Sequence, residues 1–279
     1  MRLAILLLPS AEAEQWSAAF RTAAQAAGWS YLTSISEASE SGPAILATVI
    51  AAEIEAFTPD HRTVIHAPLP ALIAHLDQGL EASTLRAAAF HLSRAAEIAT
   101  LADQVIMPGE RQVTLPGLGT VKLTGDAPCV PSAPIEVNPL AIYETLPPPT
   151  GSRAEWPLRL FEIPEAVSPS DNATPRLDIS GLNRVFVFGP YIDLPPGRWA
   201  ATFGFTLDTQ GSSVPLHFEW GPDGDSTIAK ERIRQPGVYE ITLAREWTTP
   251  NPAEFRIYTQ HPVFSGMLEP IGCEIHRVG

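Results

Sequence analysis

A chain of 279 residues with 45% hydrophobic and 18% charged residues is too apolar for wholesale disorder. It is also long enough for two cores, because single domains most often settle near about 100–150 residues. Its formal charge of −13 excludes the basic stripe that a nucleic-acid partner requires, and no run approaches the ~20 apolar residues of a membrane-spanning helix.

Arg2, the apolar run of residues 3–8 and Ala11-Glu12-Ala13 imitate a secretory leader, but such a leader needs about 7–15 apolar residues, so the run is read as a buried first strand. Ser10 is placed to cap a helix in which Trp16, Ala19, Phe20, Ala23 and Ala27 recur at helical spacing before Gly28. Strands are expected at residues 29–35, 44–50 and 63–66, then a long helix over 80–102 and a strand over 102–108. Strands alternating with helices predict a Rossmann-like or flavodoxin-like parallel sheet over residues 1–125. Val113 and Leu115, then Val121 and Leu123, flank Pro116-Gly117-Leu118-Gly119 as a hairpin does.

Residues 126–157 hold eight of the 28 prolines and are read as a stiff linker that lies against a domain. From residue 158 to 279, short alternating segments predict an antiparallel β-sandwich of jelly-roll type, with Phe203, Phe205, Phe218 and Ile257 turned inward. Ile271, Cys273 and Ile275 are expected to point inward as well, with Gly272, Glu274 and His276 outward. Cys129 and Cys273 match no metal or redox spacing, so free thiols in a reducing compartment, the cytoplasm, are expected.

Chemistry-bearing motifs are sparse. Pro9-Ser10-Ala11-Glu12-Ala13 stands where a glycine-rich phosphate loop would be, and no nucleophile elbow or metalloprotease pair is present, so neither a cofactor nor a metal is expected. Asp223-Gly224-Asp225 lacks the further carboxylates of a calcium cage and is read as a turn. In an open α/β sheet the ligand crevice lies at the carboxyl ends of the strands, which makes Ser10, His66 and Glu110 the residues to line an interdomain cleft.

In the second half, His217, Glu219, Arg256, Tyr258, Glu274 and His276 are expected to project from one side of a sheet. Such a face suits a saccharide, whose hydroxyls want paired polar groups and whose CH face stacks on rings. The same residues suit a solvated outer face with cross-strand charge pairs, or a surface on which the first domain docks. Trp156 and Trp247 fit either hinge packing or stacking platforms.

The run FGPYIDLPPGRWAATFGFTL (residues 188–207), followed by GVYEITL (237–243) and AEFRIYT (253–259), resembles the carbohydrate-binding-like β-sandwich modules of bacterial glycosyltransferases and polysaccharide-synthesis proteins. The resemblance covers roughly residues 158–279 and implies a saccharide ligand, with Gly189, Pro190, Tyr191, Pro196 and Gly197 in structural roles. ADQVIMPGE (102–110) is similar to the strand closing the acceptor half of a two-Rossmann glycosyltransferase, but a sandwich stands where the second half of such an enzyme would be. The leading expectation is therefore a non-catalytic glycan-binding or accessory protein. The alternatives are an enzyme of glycosyl transfer or hydrolysis with Ser10, His66 and Glu110 in its cleft, and a structural partner of another protein.

Overall fold

The computed structural model describes residues 1–38, 42–76, 82–124, 137–164, 175–222 and 224–279. It divides into two compact units, Met1–Pro134 with Tyr143–Pro148, and Ile135–Ile142 with Pro149–Gly279. Among the described residues no helix is long and apolar enough to cross a membrane.

The first unit runs β1 (Arg2–Leu7), α1 (Ala11–Ala27), β2 (Ser30–Leu32), β3 (Ala44–Thr48), α2 (Ala51–Phe57), β4 (His61–Ile65), α3 (Leu69–His75), α4 (Ala82–Ala99) and β5 (Gln104–Ile106). Its five strands form a parallel sheet in the order β2-β3-β1-β4-β5. That order differs from the 2-1-3-4-5 and 3-2-1-4-5-6 orders of flavodoxin-like and Rossmann-like sheets, because β3 inserts between β2 and β1. Central β1 is buried on both faces, which is why residues 3–8 read as an unbroken apolar run.

Ser10 caps α1 by accepting from Ala13 N at 3.1 Å, and Gly28 ends the helix in the left-handed region at φ 70°. The buried stripe of α1 stacks Trp16 on Phe20 at 5.4 Å. Onto the same cluster the hairpin β6 (Gln112–Leu115) and β7 (Gly119–Lys122) lays Val113, Leu115, Val121 and Leu123. Its turn needs Gly117: φ is +75°, and a Cβ there would lie 2.7 Å from the Trp29 ring. Helices α2 and α3 have seven residues each, too few for the helical period to show in the sequence.

The second unit runs β8 (Arg153–Trp156), β9 (Leu177–Asp178), β10 (Val185–Val187), β11 (Pro190–Leu194), β12 (Gly197–Asp208), β13 (Val214–Gly221), β14 (Thr227–Ile233), β15 (Gly237–Trp247), β16 (Asn251–Tyr258) and β17 (Met267–Arg277). One antiparallel sheet has the order β15-β12-β17-β8, with β9 also on β17; the other has the order β10-β16-β13-β14, with β11 also on β16. Rings from the two sheets meet face to face. Phe203 stacks on Phe255 at 5.0 Å, Phe205 tilts on Phe218 at 5.5 Å, and Trp220 lies 5.1 Å from Trp247 and 5.9 Å from Trp156. Each large side chain fully removed from water contributes roughly 1.5–3 kcal/mol, so this aromatic layer is a major stabilising element of the β-sandwich.

Three expectations change here. The segment read as a linker supplies β8, whose Ala154 and Trp156 point inward at 4% and 0% exposure; apolar alternation over only four residues is hidden by the surrounding prolines. Trp156 and Trp247 are core residues, not exposed platforms, and Trp156 donates its indole N–H to Pro139 O at 3.1 Å. Ile271 is 56% exposed because β17 bulges against β12: Gly204 pairs with Gly272 while the next residue, Phe205, pairs with Pro270.

Candidate functional site

The six residues expected on one face belong to two sheets. His217 and Glu219 lie on β13, opposite Tyr258 and Arg256 of β16, whereas Glu274 and His276 lie on β17, opposite Thr202 and Ala200 of β12. Period-two alternation assigns each residue to the inner or outer side of its own strand. It carries no information on which sheet the strand joins, so residues on the opposite outer sides of a sandwich look alike in sequence.

Of the four residues on β13 and β16, Arg256 and Glu219 join a polar network with Glu254, Tyr191 and Ser226, while the buried Nδ1 of His217 has no hydrogen-bond partner among the described residues. Arg256 grips the buried Glu254 carboxylate with Nε and Nη2, each at 2.6 Å, and its Nη1 lies 3.8 Å from Glu219. Tyr191 donates to Glu254 at 3.0 Å, and Ser226 donates to Glu219. Burial first, and then the Glu254 carboxylate, push the Tyr191 phenol up to about 12. His217 packs its ring 5.2 Å from that of Tyr258, and burial lowers its pKa, helped by the Lys230 and His261 charges. These are the cross-strand pairs of a stable outer face.

On the other sheet, the outer face dips into a hollow of about 710 Å³. Its floor is a row of minimal side chains, Gly204 of β12 paired with Gly272 of β17, with Glu240 of β15 at the end of the row. The adjacent row is polar throughout: Thr242, Thr202, Glu274 and Glu155, taken across β15, β12, β17 and β8. Thr202 and Thr242 share a hydrogen bond at 2.9 Å, and Arg153 reaches Glu274 at 3.4 Å. Glu155 and Glu240 have no side-chain hydrogen bond or ion pair with another described residue. Val137, Pro157, Leu158 and the exposed Ile271 give the hollow an apolar wall. Of the six expected residues, only Glu274 lines it. The others that matter here, Gly204, Gly272, Glu155 and Glu240, left one trace in the sequence, a glycine at an outward position of an otherwise full strand.

The three residues expected in a cleft are each engaged locally. Ser10 caps α1 and donates to Leu8 O at 3.3 Å. His66 is buried, with Nδ1 2.7 Å from Ala67 O and Nε2 2.9 Å from Tyr143 O, and burial lowers its pKa against the raising effect of those two carbonyls. Glu110 accepts from Met107 N at 3.0 Å. Asp225 pairs with Arg245, while Asp223 and Cys129 lie outside the described residues. Cys273 is buried, which pushes its thiol pKa up and leaves it unreactive. Among the described residues no group of His, Cys, Asp and Glu side chains is arranged to hold a metal ion.

No protein-family model matches the chain, and no curated protein does. Among solved structures it is similar to TmCBM61 in complex with β-1,4-galactotriose, with 8% identity, 37% of this chain and 70% of that chain covered, and a TM-score of 0.29. It is similar to the CBM22-1 xylan-binding domain of Xyn10C from Paenibacillus barcinonensis, with 7% identity, coverage of 47% and 98%, and a TM-score of 0.32. It is also similar to a family 35 carbohydrate binding module from Clostridium thermocellum, with 9% identity, coverage of 44% and 97%, and a TM-score of 0.33.

Proposed function

We propose that the second unit binds a saccharide, without catalysis, in the hollow on the outer face of the β15-β12-β17-β8 sheet, and that the protein serves glycan metabolism as an accessory binder. The observation that carries this reading is the paired row of Gly204 and Gly272 beside the polar row of Thr202, Glu274 and Glu155. Where two neighbouring strands both lack side chains, the backbone forms a trough, and the volume of about 710 Å³ falls in the range of roughly 300–1,000 Å³ typical of small-ligand sites.

The chemistry fits hydroxyls. A carboxylate accepts several hydrogen bonds and cannot donate, so Glu155, Glu240 and Glu274 match a ligand rich in O–H donors, each charge-assisted bond contributing about 1.5–3 kcal/mol. Ile271 offers an apolar edge to the CH face of a sugar ring. The Arg256 network is the weaker candidate, because a ligand at Arg256, Glu254 or Glu219 would have to displace hydrogen bonds already made. The reading rests on this surface chemistry and not on the likeness to carbohydrate-binding modules. No catalytic role is assigned to Ser10, His66 or Glu110, whose polar atoms are taken up by the backbone.

Titration calorimetry against neutral oligosaccharides of several linkages tests the proposal. A saturable response that weakens in Gly204→Ala, while the thermal midpoint holds, is expected, since an added Cβ at Gly204 meets Ile271 only at an ordinary 3.5 Å. No response across the set would overturn it.

A further inference from the structure

The first unit contains a second cavity, of about 430 Å³, at the carboxyl ends of β1 and β3. Its apolar lining is unusual for a wet surface: Val49, Ile50 and Phe90 are 45%, 53% and 49% exposed, and they adjoin Leu6 and Leu8 at the end of β1. Covering this apolar rim with a ligand is favourable by about 25 cal/mol per Å² removed from water.

The cavity lies where ligands collect in open parallel sheets. The connection from β1 leads through α1 towards β2, while the connection from β3 leads through α2 to β4 on the other side of β1, so the chain leaves these adjacent strands in opposite directions. A crevice at the carboxyl edge follows from that divergence.

Its charged groups select the ligand. Glu55 of α2 and Glu97 and Arg94 of α4 line the cavity together with His91. Arg94 is only loosely engaged with Glu97, at 3.8 Å, and its guanidinium lies 5.6 Å from the Phe90 ring. Burial and the neighbouring His75 keep His91 on the neutral side, and Glu97 is raised by burial and by Glu55 against the pull of Arg94. The lining therefore holds two carboxyl side chains and one guanidinium beside apolar walls.

We infer that this cavity binds a small organic cation, an alkyl or aryl ammonium whose charged head sits between Glu55 and Glu97 and whose hydrocarbon part covers Val49, Ile50 and Phe90. An ammonium there relieves the repulsion between the two carboxylates, and the apolar body removes the exposed rim from water. A carboxylate ligand of the same shape would meet net negative charge, and a neutral one would forgo the electrostatic contribution.

The full chain is titrated by calorimetry with hexylamine, hexanol and hexanoate as probes. Hexylamine is expected to saturate the site, hexanol to bind about tenfold more weakly and hexanoate not at all; about tenfold corresponds to one charge contact of ordinary strength. Glu97→Gln and, on the exposed side chain of Glu55, Glu55→Gln are each expected to weaken hexylamine binding, and Arg94→Gln to strengthen it. Thermal unfolding verifies that each variant is folded, and Glu55→Gln carries the test if Glu97→Gln is not. Absence of saturable hexylamine binding, hexanoate binding as tight as hexylamine, or unchanged hexylamine affinity in the folded carboxylate variants would each overturn the inference. None of these outcomes bears on saccharide binding by the second unit.

Discussion

Glu155 of β8 stands directly opposite Glu274 of β17, two carboxylates paired across adjacent strands. Like charges in that relation destabilise a sheet, and the Arg153 contact to Glu274 at 3.4 Å, between exposed side chains, offsets little. In the proposed saccharide site the same two carboxylates would serve as acceptors for ligand hydroxyls. Glu155→Gln is expected to raise stability by about 0.2–1 kcal/mol and to weaken saccharide binding, read from chemical denaturation and calorimetry on the same variant. Lower stability in the variant would contradict this account of the pair.

The opposite outer face behaves differently. Glu254 is 3% exposed and held by the fork of Arg256, so Arg256→Met strands a buried carboxylate and is expected to destabilise by roughly 3–5 kcal/mol. Saccharide binding should survive in whatever fraction remains folded. Denaturant unfolding gives the first quantity, and a loss below about 1 kcal/mol would show the pair to be solvated.

Tyr191 reports on the same network. Its phenol, pushed up to about 12 by burial and by Glu254, is favoured as the neutral form in the folded chain, so its contribution to stability is complete below the usual value of 10.0 and is lost as pH rises from there towards 12. Ultraviolet titration of Glu254→Gln against the parent, with Tyr191→Phe to assign the signal, should show the late-titrating phenol moving down only part of the way, because burial remains. An unmoved titration would remove Glu254 as a cause.

Three histidines contribute to the loss of stability as pH falls below neutrality. Burial lowers the folded pKa of His66, His91 and His217 below the usual 6.5, so the unfolded chain takes up protons first as pH falls. Their contribution to stability is complete above about 6.5 and is lost on acidification below it. The fall in thermal midpoint between pH 7 and pH 5 should be smaller in His66→Gln than in the parent chain. Equal slopes would show that His66 does not carry this dependence.

The reach of sequence reasoning follows from what each signal encodes. Alternation placed Phe203, Phe205, Phe218 and Ile257 inward, and all four are buried, because a period of two is a property of one strand. Sheet membership depends on pairing between residues distant in sequence, such as Thr202 with Glu274, and local pattern holds no record of it. Ile271 departs from alternation for a related reason: a bulge shifts register at a single residue and looks in sequence like continued alternation. Strand β8 was hidden by the prolines around it. The hollow itself was not legible, since it is made by the absence of side chains at Gly204 and Gly272 on two different strands. Ser10 as a helix cap, by contrast, is legible in the sequence because it needs only its own neighbours.

The most direct test maps a saturating oligosaccharide onto the backbone amides of the isotopically labelled chain by NMR. Shifts concentrated at Thr202, Gly204, Gly272 and Glu274, with those of His217 and Tyr258 unchanged, are the predicted result. Shifts centred on His217 and Tyr258, or none at saturating sugar, would contradict the hollow as the binding site.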